Sequence, residues 1–221
     1  MQKVPRELAG HPDRQRWNDR YQGRGAVSFE PHPLAAAALA LPLPDGPVAD
    51  LACGPSGSAL LAAAAGRPAT AVDISDVALG LMDGEARRRG LTDLITLVQA
   101  DLPAWRPEPG SYALVICTGY WDRSVFETAA AAVTGGGLLA WEALTAEARQ
   151  VRPGLCPAWC LEPGQPASLL PSGFTVLESA DLPGEHHLPR RNLLARRDET
   201  QEARNAGKAR DRGDYPAPDW A

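Results

Sequence analysis

The sequence predicts an α/β fold built on a mostly parallel sheet with helices on both faces. From Val48 onwards, short apolar runs alternate with helical segments, which is typical of parallel strands joined by helical crossovers. The run 113–117 is apolar on both faces, as expected for a central parallel strand. With 221 residues, the chain is long enough to bury the core of one such domain.

Each element follows from local patterns of apolar, capping and breaking residues. Trp17 and Tyr21 are four residues apart, so they share one face of a short N-terminal helix. Ser75 can cap a helix that begins at Asp76 and ends at Gly90. The same reasoning predicts five parallel strands at 48–51, 69–72, 94–98, 112–117 and 137–141. It predicts further helices at 33–41, 58–65, 124–133 and 163–171. Two last strands, at 174–179 and 188–195, would form an edge hairpin and complete seven strands with the last one antiparallel.

The pattern indicates one domain with a distinct segment at each end. Residues 1–197 form the expected domain, in which 1–45 is a helical lid or cap. Residues 198–221 are charged, contain Gly and Pro and lack apolar periodicity, so we expect a disordered tail.

Composition narrows the classes of partner. A formal net charge of -5 argues mildly against a nucleic-acid partner, which usually selects a basic face. The apolar stretches are too short to span a bilayer, and the polar N-terminus does not resemble a signal peptide, so we expect a cytoplasmic protein without a membrane partner. Four cysteines give no recognisable disulfide framework or zinc spacing, and we expect no metal. The chain is expected to be a monomer or homodimer.

The residues that follow the strands define the candidate site, because open parallel sheets bind ligands beyond the carboxyl ends of their strands. The first loop, 50–57, carries Gly54 and Gly57, which allow a backbone to turn close to a ligand. Asp73 ends the second strand, where an acid can accept hydrogen bonds from ribose hydroxyls. Asp101 follows the third strand and could reach an adenine amino group.

Two nucleoside ligands fit this frame, a dinucleotide such as NAD and S-adenosylmethionine (SAM). Gly54 and Gly57 do not form the Gly-x-Gly-x-x-Gly pattern that places a pyrophosphate at a helix N-terminus. Asp50 would repel a pyrophosphate but suits the ammonium and sulfonium of SAM. The sequence therefore favours SAM as the cofactor.

Three segments carry a resemblance to a known class of enzyme. Residues 50–54, 71–75 and 99–102 are similar to the successive SAM-binding motifs of class I methyltransferases, whose Rossmann-like fold is thereby implied. The flanking segments resemble one branch, the tellurite-resistance-type (TehB-like) methyltransferases, at 17–21, 120–126, 136–145 and 161–165. Three residues depart from this pattern, since Ser56 and Ala52 stand where glycines are usual and Gly135 stands where proline is common.

The candidate cofactor-binding residues lie in the loops after the strands and in the N-terminal helix. They are Asp50, Ala52, Gly54, Gly57, Asp73, Ile74, Asp101, Leu102, Thr118, Trp17, Arg20 and Tyr21. Trp17 and Tyr21 would form a lid, and Arg20 could meet the carboxylate of SAM. Tyr120 and Trp121 are the candidate catalytic residues, because aromatic faces favour a sulfonium cation. The alternative is that these two rings only pack a helix onto the sheet.

The expected function is transfer of a methyl group from SAM to a small-molecule acceptor by in-line displacement. A thiol or chalcogen acceptor needs no base, whereas a hydroxyl or ammonium needs one. A natural-product metabolite is an equally open acceptor. Two alternatives remain at this point: a nucleotide-dependent oxidoreductase, and a catalytically degenerate SAM-binding interaction module, which Ser56 keeps open.

Overall fold

A single seven-stranded sheet organises the molecule. The computed structural model describes residues 4–23, 27–183 and 188–199. The strands are β1 Val48–Leu51, β2 Ala69–Asp73, β3 Ile95–Gln99, β4 Tyr112–Thr118, β5 Val133–Leu144, β6 Phe174–Leu182 and β7 Arg190–Arg197. Their order is β3-β2-β1-β4-β5-β7-β6, and β7 runs antiparallel to both of its neighbours. The predicted Rossmann-like sheet with an antiparallel last strand is confirmed.

In the described residues six α-helices accompany the strands: α1 Pro12–Gln22, α2 Pro33–Leu39, α3 Ser58–Ala64, α4 Asp76–Arg89, α5 Arg123–Ala132 and the short α6 Ala148–Val151. The helix predicted over 163–171 is wrong, because only a 3-10 turn at Ala167–Leu169 forms there. Prolines at 163, 166 and 171 explain the difference, since proline removes a helical hydrogen bond and clashes with the preceding turn. The tail predicted at 198–221 lies outside the described residues except for Asp198 and Glu199.

Two histidines are the N-cap residues of α1 and α2. His11 precedes Pro12, and its side chain accepts a hydrogen bond from the Asp13 amide at 3.2 Å. His32 does the same for α2, accepting from the Leu34 amide at 3.2 Å. Each imidazole therefore satisfies one of the unpaired amides of a first helical turn, and the following proline needs no partner.

The sheet buries a different core on each face. On one face, α5 packs onto an aromatic cluster in which the rings of Phe126 and Trp141 lie 5.2 Å apart, close to edge-on. On the other face, α2, α3 and α4 present mainly alanine and leucine to the strands. Small side chains let these helices lie close to the sheet, so the strand ends and helix starts on this side meet at one edge.

Gly57 allows the N-terminal segment to reach that edge. Its amide donates to the Glu30 carbonyl oxygen at 3.2 Å. A Cβ at this position would lie 2.2 Å from the Phe29 carbonyl oxygen and 2.6 Å from the Pro31 nitrogen. Only glycine therefore permits residues 29–31 to pack against the start of α3.

We predict that Gly57→Ala destabilises the protein by about 1–3 kcal/mol, the usual cost of overpacking. Gly80→Ala is the matched control, because Gly80 lies in α4 with open space around its α-carbon. That change should stabilise the protein by about 0.5–1 kcal/mol through helix propensity. Urea denaturation measures both, and a Gly57→Ala variant as stable as the wild type would contradict the close approach of residues 29–31.

Candidate functional site

Asp50 lies buried beneath the first loop. Its Oδ2 accepts hydrogen bonds from the Ser56 hydroxyl and from the Ala59 amide, both at 3.2 Å. Burial raises the pKa of Asp50 to about 7, although these two donors lower it in part. Ser56, which departs from the usual glycine, therefore holds a carboxylate of the site and does not merely crowd the loop.

Asp73 joins the first loop to the start of α4. Its Oδ2 accepts from the Gly54 amide and its Oδ1 accepts from the Ser75 amide, each at 2.8 Å. Burial raises the pKa of Asp73, and these amides oppose the shift. A carboxylate has about four acceptor positions, so the bonds from Gly54, Ser75 and the Ile74 amide leave room for a further donor.

The first loop turns through two left-handed residues. Gly54 has φ 53°, and Ala52 has φ 48°, which makes Ala52 the one non-glycine residue with positive φ in the described part of the chain. A non-glycine residue in this conformation costs about 1 kcal/mol. The loop therefore keeps the path that a glycine would favour at position 52, at a cost in strain.

Helix α1 lies across the carboxyl ends of the strands and is tied to the start of α4. Asn18 Oδ1 accepts from the Ser75 hydroxyl at 2.6 Å, and Asn18 Nδ2 donates to Asp76 Oδ1 at 2.9 Å. Arg14 Nε donates to the same Asp76 oxygen at 2.7 Å. Burial raises the pKa of Asp76, but the bonds from Arg14 and Asn18 outweigh it and hold the pKa below its usual range. We call α1 the roof helix, residues 12–22.

The roof helix also reaches the first loop. A Cβ at Gly54 would lie 2.8 Å from the Tyr21 hydroxyl, so the phenol covers this glycine directly. The rings of Trp17 and Tyr21 stack with their centroids 5.8 Å apart, and the Arg20 guanidinium lies 5.2 Å from the Trp17 ring. The structure thus brings these three predicted residues together above the loop.

Two further contacts extend the roof helix across the sheet edge. Arg16 lies between two indole rings, 5.5 Å from Trp17 and 4.9 Å from Trp159, which follows β5. At the start of the roof, His11 Nε2 lies 3.7 Å from Asp101 Oδ2, after β3. The roof therefore contacts the segments that follow β1, β2, β3 and β5.

The other predicted residues at the carboxyl edge of the sheet differ in how far they are buried. Asp101 is half-buried and Leu102 is buried after β3, while the carbonyl oxygen of Ile74 accepts from Gln99 Nε2 at 3.0 Å. Thr118 is the last residue of β4 and pairs with Glu142 of β5.

The two candidate catalytic residues, Tyr120 and Trp121, lie in different environments. Trp121 is buried in the α5 core, with its ring 5.7 Å from Phe126 and 6.2 Å from Trp141. Tyr120 is half-buried at the edge, and its carbonyl oxygen accepts from Trp141 Nε1 at 3.1 Å. Burial raises the pKa of the Tyr120 phenol well above its usual range, so it stays protonated at neutral pH. Packing explains the position of Trp121, whereas Tyr120 remains at the site.

A second polar group at this edge was missed by sequence reasoning. Glu142 of β5 is 2% exposed, and it lies between Arg190 Nη1, at 2.6 Å, and His32 Nε2, at 3.2 Å. A carboxylate near the carboxyl end of a buried strand was a usable signal for Glu142. Nothing local in the sequence indicates partners 48 residues ahead or at the start of α2.

No three His, Cys, Asp or Glu side chains are grouped to hold a metal ion within residues 4–23, 27–183 and 188–199. None of the helices in the same ranges is both long and apolar enough to cross a membrane.

Comparisons with known proteins agree with this geometry. A family model described as a methyltransferase domain matches residues 48–137, from β1 into β5. TehB from Haemophilus influenzae is similar in structure, with a TM-score of 0.60 and 15% identity over 84% of this chain and 67% of that chain. The structure of magnesium protoporphyrin IX methyltransferase from Synechocystis PCC 6803 with bound S-adenosylhomocysteine (SAH) gives 0.62 and 19%, over 87% and 98%. A structure solved for the conversion of a disulfide bond into a thioacetal group during echinomycin biosynthesis gives 0.63 and 17%, over 92% and 99%. No curated protein sequence matches.

The fold is that of class I SAM-dependent methyltransferases, and residues 48–137 match a methyltransferase domain. In fold the chain resembles TehB.

We predict that Asn18→Ala loosens the roof helix, because it removes the bonds to Ser75 and Asp76. Amide hydrogen exchange over residues 12–22 should become faster, while exchange in β1 and β4 stays unchanged. Gln15→Ala is the matched control, since Gln15 is exposed on the same helix. Equal exchange in the two variants would contradict the tether.

Proposed function

We propose that the protein methylates a small-molecule acceptor that binds between the roof helix and the carboxyl ends of β4 and β5. The observation that carries the proposal is the set of acids Asp50, Asp73 and Asp101. Asp50 and Asp73 lie at the carboxyl ends of β1 and β2, Asp101 follows β3, and all three lie beside segments that the roof helix contacts. An enclosed, acidic edge suits a cationic cofactor and a reaction from which water must be excluded.

The residues present fit SAM. Asp73 retains acceptor capacity for ribose hydroxyls, and Gly54 beside it lies beneath the Tyr21 phenol. Asp50 supplies a carboxylate for the ammonium group, and Asp101 for the adenine amine. The proposed contacts around them come from Ala52, Ile74, Leu102, Thr118, Trp17, Arg20 and Tyr21. Gly57 has a different role, because its α-carbon is packed against residues 29–31.

When bound, SAM supplies a methyl group on a sulfonium, which is already activated for displacement. The chain therefore needs to align the acceptor with the methyl group, enclose both reactants and polarise the reacting atoms. It does not need to form a covalent bond itself. The roof helix excludes water through its contacts with the loops. Tyr120 offers an aromatic face and a protonated hydroxyl at the end of β4. Trp121 supports the end of β4 by packing against Trp141 in the core.

The acceptor class follows from the bases that the site offers. His32 uses Nδ1 to cap α2 and directs Nε2 to Glu142, and His11 uses Nδ1 to cap α1. The phenol of Tyr120 holds its proton. These groups favour an acceptor that needs little help from a base, such as a thiol or another chalcogen, either free or within a natural-product metabolite.

We predict that Asp73→Asn weakens SAM binding about 10- to 100-fold, because hydrogen bonds to a charged group contribute about 1.5–3 kcal/mol. Asp83→Asn on the exposed face of α4 is the control and should bind like the wild type. Isothermal titration calorimetry measures both, with circular dichroism to confirm folding. Unchanged affinity in Asp73→Asn would remove the ribose assignment, and a folded wild type that binds neither SAM nor SAH would overturn the proposed function.

We also predict that SAM binding releases up to one proton at pH 6, and almost none well above pH 7. Asp50 has a pKa of about 7 and is largely neutral at pH 6, and a bound ammonium would lower this pKa and ionise the carboxyl. Asp50→Asn should abolish the release. Calorimetry at pH 6 in two buffers of different ionisation enthalpy counts the protons. Equal release from the variant would assign the proton to another group.

A further inference from the structure

A polar cluster at the ends of β5 and β7 has no part in the cofactor site described above. We call it the β5–β7 cluster: Glu142, Arg190, Asn192 and His32. Glu142 pairs in register with Asn192, and the next pair but one joins Leu144 to Arg190. Residues two apart on a strand share a face, so Arg190 and Asn192 lie on the same side of β7 as Glu142.

The charges within this cluster are balanced. Burial raises the pKa of Glu142, but the bonds with His32 and Arg190 outweigh it and hold the pKa below its usual range. His32 accepts from the Leu34 amide through Nδ1, so in its neutral form Nε2 carries the proton and donates to Glu142. One carboxylate therefore faces one guanidinium and one imidazole N–H.

Two buried polar atoms of the cluster, Arg190 Nε and Asn192 Oδ1, have no hydrogen-bond partner among the residues that the structure describes. One is a donor and the other an acceptor. An unsatisfied buried group costs about 1–3 kcal/mol, so native structures rarely leave such atoms unpaired without a reason. The bonds among Glu142, Arg190 and His32 tie α2 to the sheet, but that structural role does not use either atom.

We propose that the β5–β7 cluster is a subsite for the methyl acceptor and binds an uncharged polar group, such as a carboxamide or hydroxyl. An oxygen of this group accepts from Arg190 Nε, and its N–H or O–H donates to Asn192 Oδ1. The proposal rests on the proposed function, because Glu142 pairs with Thr118 at the end of β4, where the acceptor is placed.

The charge of the group follows from its surroundings. Arg190 is already neutralised by Glu142, and Asp50 adds negative charge near His32. A carboxylate on the acceptor would therefore meet net repulsion, whereas an ammonium would lie against the Arg190 guanidinium. A neutral donor–acceptor group satisfies both free atoms without either penalty.

Three small thiols test the proposal, because they share the nucleophile and differ in charge. Mercaptoacetamide is neutral, mercaptoacetate is an anion of nearly the same shape, and cysteamine is a cation. Ligand-observed NMR on SAH-loaded protein gives their relative affinities, and mass spectrometry with SAM gives their methylation. We expect mercaptoacetamide to bind at least about tenfold more tightly than either charged thiol, a difference of about 1.4 kcal/mol.

Variants at Asn192 separate recognition from structure. Asn192→Ala should reduce mercaptoacetamide binding several-fold, and Asn192→Asp should shift the preference towards cysteamine. The affinity for SAH should be unchanged in both. Ser179→Ala on the exposed strand β6 is the control and should change nothing. Melting temperatures identify any variant that fails to fold, and the ranking of the thiols on the wild type stands without the variants.

The outcomes distinguish this inference from the proposed function. If SAH does not bind the wild type, the proposed function is wrong. If SAH binds but mercaptoacetate is preferred, or none of the three thiols binds at millimolar concentration, the subsite is wrong and the cofactor assignment stands. An unchanged ranking in Asn192→Asp also overturns the subsite.

Discussion

The buried carboxylate of Asp73 is the interaction on which the rest of the site depends. It accepts from Gly54 in the first loop and from Ser75 at the start of α4. The Ser75 hydroxyl then caps the Ala78 amide and donates to Asn18 in the roof helix. One carboxylate therefore links the loop, the helix start and the roof. Burying a charge is costly unless it is hydrogen-bonded, so these bonds both hold Asp73 in place and set the geometry around it.

Sequence patterns predicted the features that depend on short-range order. The strands, the Ser75 cap and the acids that follow the strands all come from neighbouring residues, and parallel topology brings the strand ends to one edge. The helix predicted at 163–171 does not form, because its three prolines outweigh its apolar content. For Trp121, the sequence left both a packing role and a site role open, and only the tertiary structure shows its ring in the α5 core.

Contacts between distant segments could not be predicted from one sequence. Asn18 and Asp76 are far apart along the chain, as are His32 and Glu142, and no local period connects either pair. His11 and His32 each cap a helix that frames the site. Single residues that serve a local cap and a distant contact at once, as His32 does, give no repeating signal in the sequence.

The edge of the sheet divides into two halves with different electrostatics. Around β1, β2 and β3, three carboxylates gather beside amides and a roof that carries arginines, an arrangement that suits a cationic ligand. Around β5 and β7, Glu142 is paired with Arg190, and Arg190 Nε and Asn192 Oδ1 are left without a hydrogen-bond partner in the described part of the chain. An enzyme that acidified both halves would attract cations to both, and a cationic acceptor would then repel the sulfonium that it must approach. Neutralising Glu142 with Arg190 removes this competition, so the charge on the cofactor side can be used for one ligand alone.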